Sequence, residues 1–436
     1  MSTITEKESF SQSLINSLQA QGYSNDSQAR KVAFEELKKL GLPEAKSEEY
    51  KFTPITRILS KSFDAKELVT ESIASEAKVE DRLLSEFPEN VVVFSNGRYD
   101  ESQSSLKAVK GLTILPLKQA INEKSEIIET HFKNFPRSKD PFGLLNAAGW
   151  QDGLFVHVEK NIAVSSPLVV INQHDTNEGK VSSHSRLLVL IEQSAEFSII
   201  EKTNTNGTLP AFHSLNEEIK VQANASFKYY KIQNDPGELV QVSNTTIYQE
   251  NSSRTDTYTF TLDGKLIRNN LSILIDGEGC ESHFFGLYLT KGEALVDNHT
   301  VVDHMKPNSF SNELYKGLMD EKSKGVFNGK IYVRPHAQKT NAFQSNRNIL
   351  LSDTATINTK PQLEIWADDV KCSHGCTTGQ LDEEALFYLQ SRGIPKSTAK
   401  AMLLYAFAGE VLEAITDEKL RDYIDGVVSE RLHKNF

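Results

Sequence analysis

The chain has 436 residues, with 48 Lys and Arg against 59 Asp and Glu, for a formal charge of −11. That length can form one large domain or two to three smaller ones with a full core, and an acidic balance without a basic run argues against nucleic-acid binding. Its three cysteines cannot all pair, the polar opening Met1–Phe10 resembles neither a signal nor a transit peptide, and no apolar run reaches spanning length; the expectation is a reduced, soluble, cytoplasmic protein without a membrane partner.

From about residue 7 to 150 the pattern is mainly helical. Phe10, Leu14 and Leu18 recur every fourth residue, and Val32, Leu37 and Leu40 mark a second helix that stops at Gly41-Leu42-Pro43. A polar, charged stretch from about 60 to 85 reads as a linker with a short helix. From about 154 to 370 short β-rich runs take over, such as Leu154–Val158, Leu168–Ile171, Leu187–Ile191, Phe227–Tyr230, Tyr258–Leu262 and Leu271–Ile275. They predict an all-β region; a sandwich, a barrel and a solenoid fit equally, and no clean numerical repeat selects among them.

After Gly379 helices return. Asp382 caps a segment running from Glu383 to Ser391 that ends at Gly393, and Pro395 opens the next. That next helix, Ala399 to Ile415, is apolar nearly all round through Ala401–Ala408, so it has more than one face to bury, either inside its own bundle or against another chain. A last amphipathic helix uses Leu420, Ile424, Val427, Val428 and Leu432.

The densest chemistry lies in Asp368-Asp369-Val370-Lys371-Cys372-Ser373-His374-Gly375-Cys376, which holds two of the three cysteines and a histidine within five positions. Thiolate and imidazole in such proximity point to a metal, iron–sulfur or thiol site. Upstream, Leu363, Ile365 and Ala367 alternate with Glu364, Trp366 and Asp368 as in a half-buried strand, and if that register persists Cys372, His374 and Cys376 fall on the outward face. Along an extended chain Cys372 and Cys376 would stand about 13 Å apart, too far to share one ion, so either Gly375 turns the backbone or a second chain supplies ligands. A reduced surface thiol beside an ordinary histidine accounts for the same residues.

A second polar constellation, Asp297-Asn-His-Thr-Val-Val-Asp-His304, offers His299 and His304, although histidines among strands are more often structural. Cys280 sits at a turn and reads as packing. There is no phosphate-binding loop, Gly-x-Gly-x-x-Gly or His-Glu-x-x-His, so the chain is expected neither to hydrolyse ATP nor to bind a dinucleotide through a standard motif.

Residues 297 to 415 resemble the signature region of the SufB/SufD family of iron–sulfur cluster assembly proteins. The resemblance rests on Asp297–His304, Tyr315-Lys-Gly317, Val326-Phe-Asn-Gly329, Ala337-Gln-Lys-Thr340, Asn348–Ser352, Leu363–Gly375 and Leu381–Ile394; Cys-Ser-His-Gly followed by Leu-Asp-Glu-Glu is similar to the SufD branch, as is Pro43–Pro54 near the front. It implies a mainly β fold, with a right-handed parallel β-helix core over 151–378 between a mainly helical 1–150 and a helical, ATPase-docking 379–436. It further implies a non-ATPase scaffold subunit of a SufBCD-type complex, with Cys372 and His374 as metal ligands for a nascent iron–sulfur cluster facing a SufB-like paralogue. Met402, Leu403 and Phe407 would contact a SufC-like ATPase. No cofactor is expected to be stably bound in the isolated chain, while reduced flavin in the complex and a homodimer of the isolated chain stay open. Asp368 or Asp369 is the candidate to orient His374. Cys376 departs from the family pattern and inherits no role. The rival readings are a self-contained metalloenzyme with a Cys/His/Asp site and a purely structural paralogue of SufB.

Overall fold

A computed structural model describes residues 9–22, 27–44, 46–73, 75, 77–133 and 138–435. Helix α1 (Phe10–Ala20) begins where the Ser9 side chain accepts the Gln12 N–H, and α2 (Gln28–Leu40) where Ser27 accepts that of Arg30; both are serine N-caps that satisfy a free helix donor. Gly41 ends α2 at φ 70°. α1 buries Leu14, Ile15 and Leu18, and α2 buries Ala33, Phe34 and Leu37. Val32 and Leu40, read from the sequence as inward, are exposed, because the buried stripe of α2 runs through Phe34 and Leu37. Short helices α3 (Ile55–Ser62), α4 (Arg82–Glu86), α5 (Leu117–Glu123) and α6 (Ser125–Phe132) follow. The region before residue 150 also carries strands, and Asn90–Ser95 pairs in parallel with Leu168–Asp175. Helix α7 (Pro141–Gly149) completes a core in which Leu14, Phe34 and Phe142 meet Phe212, Val240 and Leu266 from the outer face of the sheet behind them.

From Asp152 to Gly379 sixteen strands alternate between two sheets, eight in each, and from the third onward each lies parallel on the one two places earlier; strands before residue 152 extend the sheets to nine and eleven. This is a parallel β-helix, the solenoid among the three sequence alternatives. Its step is irregular. Val240 pairs with Leu266, Leu266 with Leu295 and Lys324 with Thr356, which are offsets of 26, 29 and 32 residues, so no numerical repeat marks the sequence. The repeat lies in the corners instead. Asn161, Ser194, Asn224, Ser252, Asn308 and Lys339 all adopt positive φ, and each donates its backbone N–H to a carbonyl one coil further on, as from Asn224 to Asn251 and from Lys339 to Asp369. Asn visits this left-handed backbone more readily than most residues; Ser and Lys adopt it where the corner's backbone hydrogen bond to the next coil holds them.

Inside the coils Val92, Val156, Val189, Ile219, Phe284 and Phe327 belong to one long apolar cluster. Helices α8 (Glu383–Ser391), α9 (Lys396–Leu412) and α10 (Glu418–Asn435) follow the last strand. Asp382 caps α8 by accepting from Glu384 and Ala385 N–H. α9 and α10 pack on the eleven-stranded sheet, where Leu404, Ala408, Val411, Ile424 and Val428 meet Tyr230, Tyr258, Phe260 and Leu287. No helix among the described residues is long and apolar enough to cross a membrane.

Candidate functional site

Strand Lys371–Gly379 is the last of the eleven-stranded sheet, and among the described residues it pairs along one edge only, with Asn341–Leu350. Cys372 lies opposite Ala342, His374 opposite Gln344 and Cys376 opposite Asn346. Those three partners are buried and look into the solenoid, so the Cys372, His374 and Cys376 row is the inner row of the final coil. The sequence parity argument therefore placed them on the wrong face. The turn at 366–370 is a corner of the solenoid, bonded to the preceding coil through Trp366 N–H to Val333 O and Lys339 N–H to Asp369 O, and a corner resets which side chains point in. The row is nevertheless accessible, because no further coil covers it: Cys372 is half-buried against the core, while His374 and Cys376 are exposed. Partial burial pushes the Cys372 thiol above its ordinary pKa, favouring the neutral thiol in the isolated chain.

The strand stays extended through Gly375, so the backbone turn that could have brought Cys372 and Cys376 onto one ion does not form. No group of three or more His, Cys, Asp or Glu side chains among the described residues is close enough to hold a metal ion. Neither Asp368 nor Asp369, the carboxylates sought as orienters of His374, bonds to it among the described residues; the Asp369 backbone instead ties the corner together, its N–H donating to Gln338 Oε1 at 2.9 Å.

The second constellation resolves into a charge clamp. Arg268, 2% exposed, donates to Asp297 at 2.6 Å and to the Glu49 carbonyl at 2.8 Å, and its guanidinium lies 4.0 Å from the centre of the Tyr50 ring. Thr53 donates its hydroxyl to Asp297, Tyr50 donates to Asp140, and Lys330 reaches Glu49 at 2.7 Å. His299 stands between carboxylates, with Nε2 2.9 Å from Asp297 and Nδ1 3.4 Å from Glu49. Burial pushes the Asp297 carboxyl up, but the Arg268 and His299 charges outweigh it and hold the pKa at about 2; burial pushes His299 down, and the same carboxylates hold it above its ordinary value. Both ring nitrogens of His299 are thus occupied. His304 is fully buried on Ser311 Oγ at 2.9 Å, and burial lowers its pKa to about 4. Neither histidine is presented as a ligand. What the sequence missed is the junction itself: Glu49, Tyr50 and Thr53 from the front of the chain close onto Arg268, Asp297 and His299. Cys280 is buried with Sγ 3.2 Å from Glu250 O, consistent with the packing role expected for it.

The SUF system FeS cluster assembly, SufBD core domain matches residues 172–407, and the SufBD protein N-terminal region matches residues 10–170. The chain belongs to the SufBD family. An iron–sulfur cluster assembly SufBD family protein of Synechocystis sp. is 32% identical over 92% of this chain and 90% of its own length. Iron–sulfur cluster assembly protein SufD of Escherichia coli is 29% identical over 95% of both chains, and SufD of Bacillus subtilis 26% over 74% of both. The biochemical context of this SufBD chain is iron–sulfur cluster assembly by the SUF system.

In this SufBD chain the apolar helix α9 divides its faces. Ala399, Ala401, Leu404 and Ala408 are buried, Leu403 is half-buried, and Met402 is 46% exposed. Phe407 packs on the sheet-side core beneath Lys316, whose ammonium lies 4.9 Å from the ring centre and 2.9 Å from the Phe407 carbonyl. Tyr405 on α9 and Phe387 and Tyr388 on α8, the last two 73% and 56% exposed, are further large side chains turned to solvent.

Proposed function

We propose that this chain is a SufD-type scaffold subunit of a SufBCD-type complex, without ATPase activity of its own. In this reading Cys372 and His374 serve the nascent iron–sulfur cluster at an interface with a SufB-like paralogue, and the exposed side chains of α8 and α9 receive a SufC-like ATPase. The observation that carries the reading is the uncapped last coil. An unpaired strand edge offers a row of backbone donors and acceptors to another chain, and the same strand presents an imidazole and a thiol that do not complete a metal site alone. Ligands divided between two chains answer both features, and thiolate with imidazole suits iron. A self-contained metalloenzyme lacks support, since it requires a third ligand beside these two.

The test is co-expression with SufB-like and SufC-like partners, followed by anaerobic cluster reconstitution read by visible absorption. His374→Ala is expected to keep the three-subunit complex and lose most of the cluster absorption, with Cys372→Ser equal or milder and Cys376→Ala mildest. Parental absorption in His374→Ala, in complexes of matched subunit content, refutes the ligand assignment.

A further inference from the structure

The inner row that ends at His374 continues into the solenoid as a column. Glu313 pairs with Gln344 across one ladder, and Gln344 pairs with His374 across the next. Neighbouring strands lie about 4.8 Å apart, so the three side chains lead from the interior to the open end. Glu313 and Gln344 are 2% and 3% exposed.

The amide of Gln344 is fixed at its nitrogen. Its Nε2 donates to Glu313 Oε2 at 2.6 Å; burial raises the Glu313 pKa to about 7, and above that value, with the carboxyl ionised, exchanging amide oxygen and nitrogen would set two acceptors against each other. Room for the amide comes from Gly329 on the facing sheet, where a Cβ would lie 2.2 Å from Gln344 Nε2. Its oxygen has no such partner. Gln344 Oε1 is buried without a hydrogen bond among the described residues, and leaving a buried acceptor unsatisfied is unfavourable. The next side chain along the column is an imidazole, which in its neutral form carries one N–H donor and one free nitrogen.

We propose that Gln344, locked by Glu313 and accommodated by Gly329, is the positioning residue for His374: the exposed imidazole, which does not bond to it in this structure, turns to donate one N–H to the unpartnered Oε1, which fixes the tautomer and directs the other nitrogen to the open end. This rests on the reading of His374 as a cluster ligand, because only a ligand needs its free nitrogen chosen in advance. Metal-binding histidines are commonly oriented through the nitrogen that does not bind the metal. Here the orienting group is an amide one coil below, and not a carboxylate of the neighbouring corner.

The test uses the full-length chain labelled with ¹⁵N-histidine, with His374 assigned by the signals absent from His374→Ala. Long-range ¹H–¹⁵N imidazole spectra at alkaline pH are expected to show one tautomer favoured about tenfold, the factor of a buried hydrogen bond. In Gln344→Leu the ratio should fall to that of free imidazole, and in Glu313→Gln, which removes the carboxylate lock, it should fall part of the way. In the complex, Gln344→Leu should lower iron retention by about 10- to 100-fold with subunit content unchanged. A free-imidazole ratio in the parental chain overturns the proposal even if Gln344→Leu does not fold, and so does a ratio indifferent to Gln344→Leu. Should the tautomer depend on Gln344 while His374→Ala assembles clusters normally, the positioning stands and the ligand reading fails; should His374→Ala abolish clusters while the tautomer ignores Gln344, the ligand reading stands and the positioning fails.

Discussion

Asp297→Asn tests whether the charge clamp holds the front of the chain on the solenoid. Asp297 is fully buried and serves Arg268, Thr53 and His299 together. Asparagine keeps the volume and can still accept from Thr53, but it leaves the Arg268 guanidinium buried without its countercharge, and breaking such a pair from one side costs about 3–5 kcal/mol. The depressed carboxyl pKa points the same way. The fall of the Asp297 pKa from 3.8 to about 2 corresponds to roughly 2 kcal/mol of preference for the carboxylate at 1.36 kcal/mol per pK unit. The sign follows from the depressed folded value: this contribution is fully present above the ordinary carboxyl pKa of 3.8 and is lost as pH falls through about 2. His299 acts oppositely. Its folded pKa is raised, so its contribution is complete below its ordinary 6.5 and disappears as pH rises through the higher folded value. The clamp is therefore strongest between those limits, and Asp297→Asn should lower stability by about 3 kcal/mol at pH 6 while flattening the decline on both sides. Urea unfolding across pH, with limited proteolysis at residues 46–54, provides the measurement. A change under about 0.5 kcal/mol at pH 6 would refute the reasoning. So would an Arg268→Met/Asp297→Leu double variant less stable than either single, since removing both charges also removes the uncompensated one.

Gly317→Ala should destabilise by about 2 kcal/mol or more in urea, because the new Cβ would lie 2.2 Å from Tyr288 Cε2 and 2.4 Å from Cζ, inside a packed core; an unchanged midpoint would mean that the ring yields freely. The three thiols should be alkylated in the order Cys376, Cys372, Cys280, following exposure and the burial that raises the pKa of the last two; a mass-spectrometric time course that ranks Cys280 first contradicts the packing described here. Phe387→Asp and Met402→Asp should leave stability within about 0.5 kcal/mol yet weaken capture of a SufC-like ATPase in co-purification. Phe407→Asp should lower stability as well, because its ring lies on the core under Lys316.

Local signals in the sequence were enough for the first two helices, through the spacing of Leu14, Leu18 and Leu37, for the stop at Gly41 and for the cap at Asp382, since side-chain period, a cap or a positive-φ glycine acts within a turn or two of its own position. The same holds for the strand-rich middle, where short apolar runs alternate with turn residues, and the cluster Cys372-Ser-His374 announced itself by composition. Family resemblance supplied the solenoid, which periodicity could not, because the coil length varies between 26 and 33 residues and the recurrent element is a backbone conformation filled by Asn, Ser or Lys. Tertiary structure alone decided the rest. The facing of Cys372 and His374 depends on a corner at 366–370 that interrupts strand parity. Their exposure depends on the solenoid ending there, and the meeting of Thr53 with Asp297 bridges 244 positions. Parity, caps and turns are properties of neighbouring residues; a ladder register or a buried ion pair exists only once distant segments have been brought into contact.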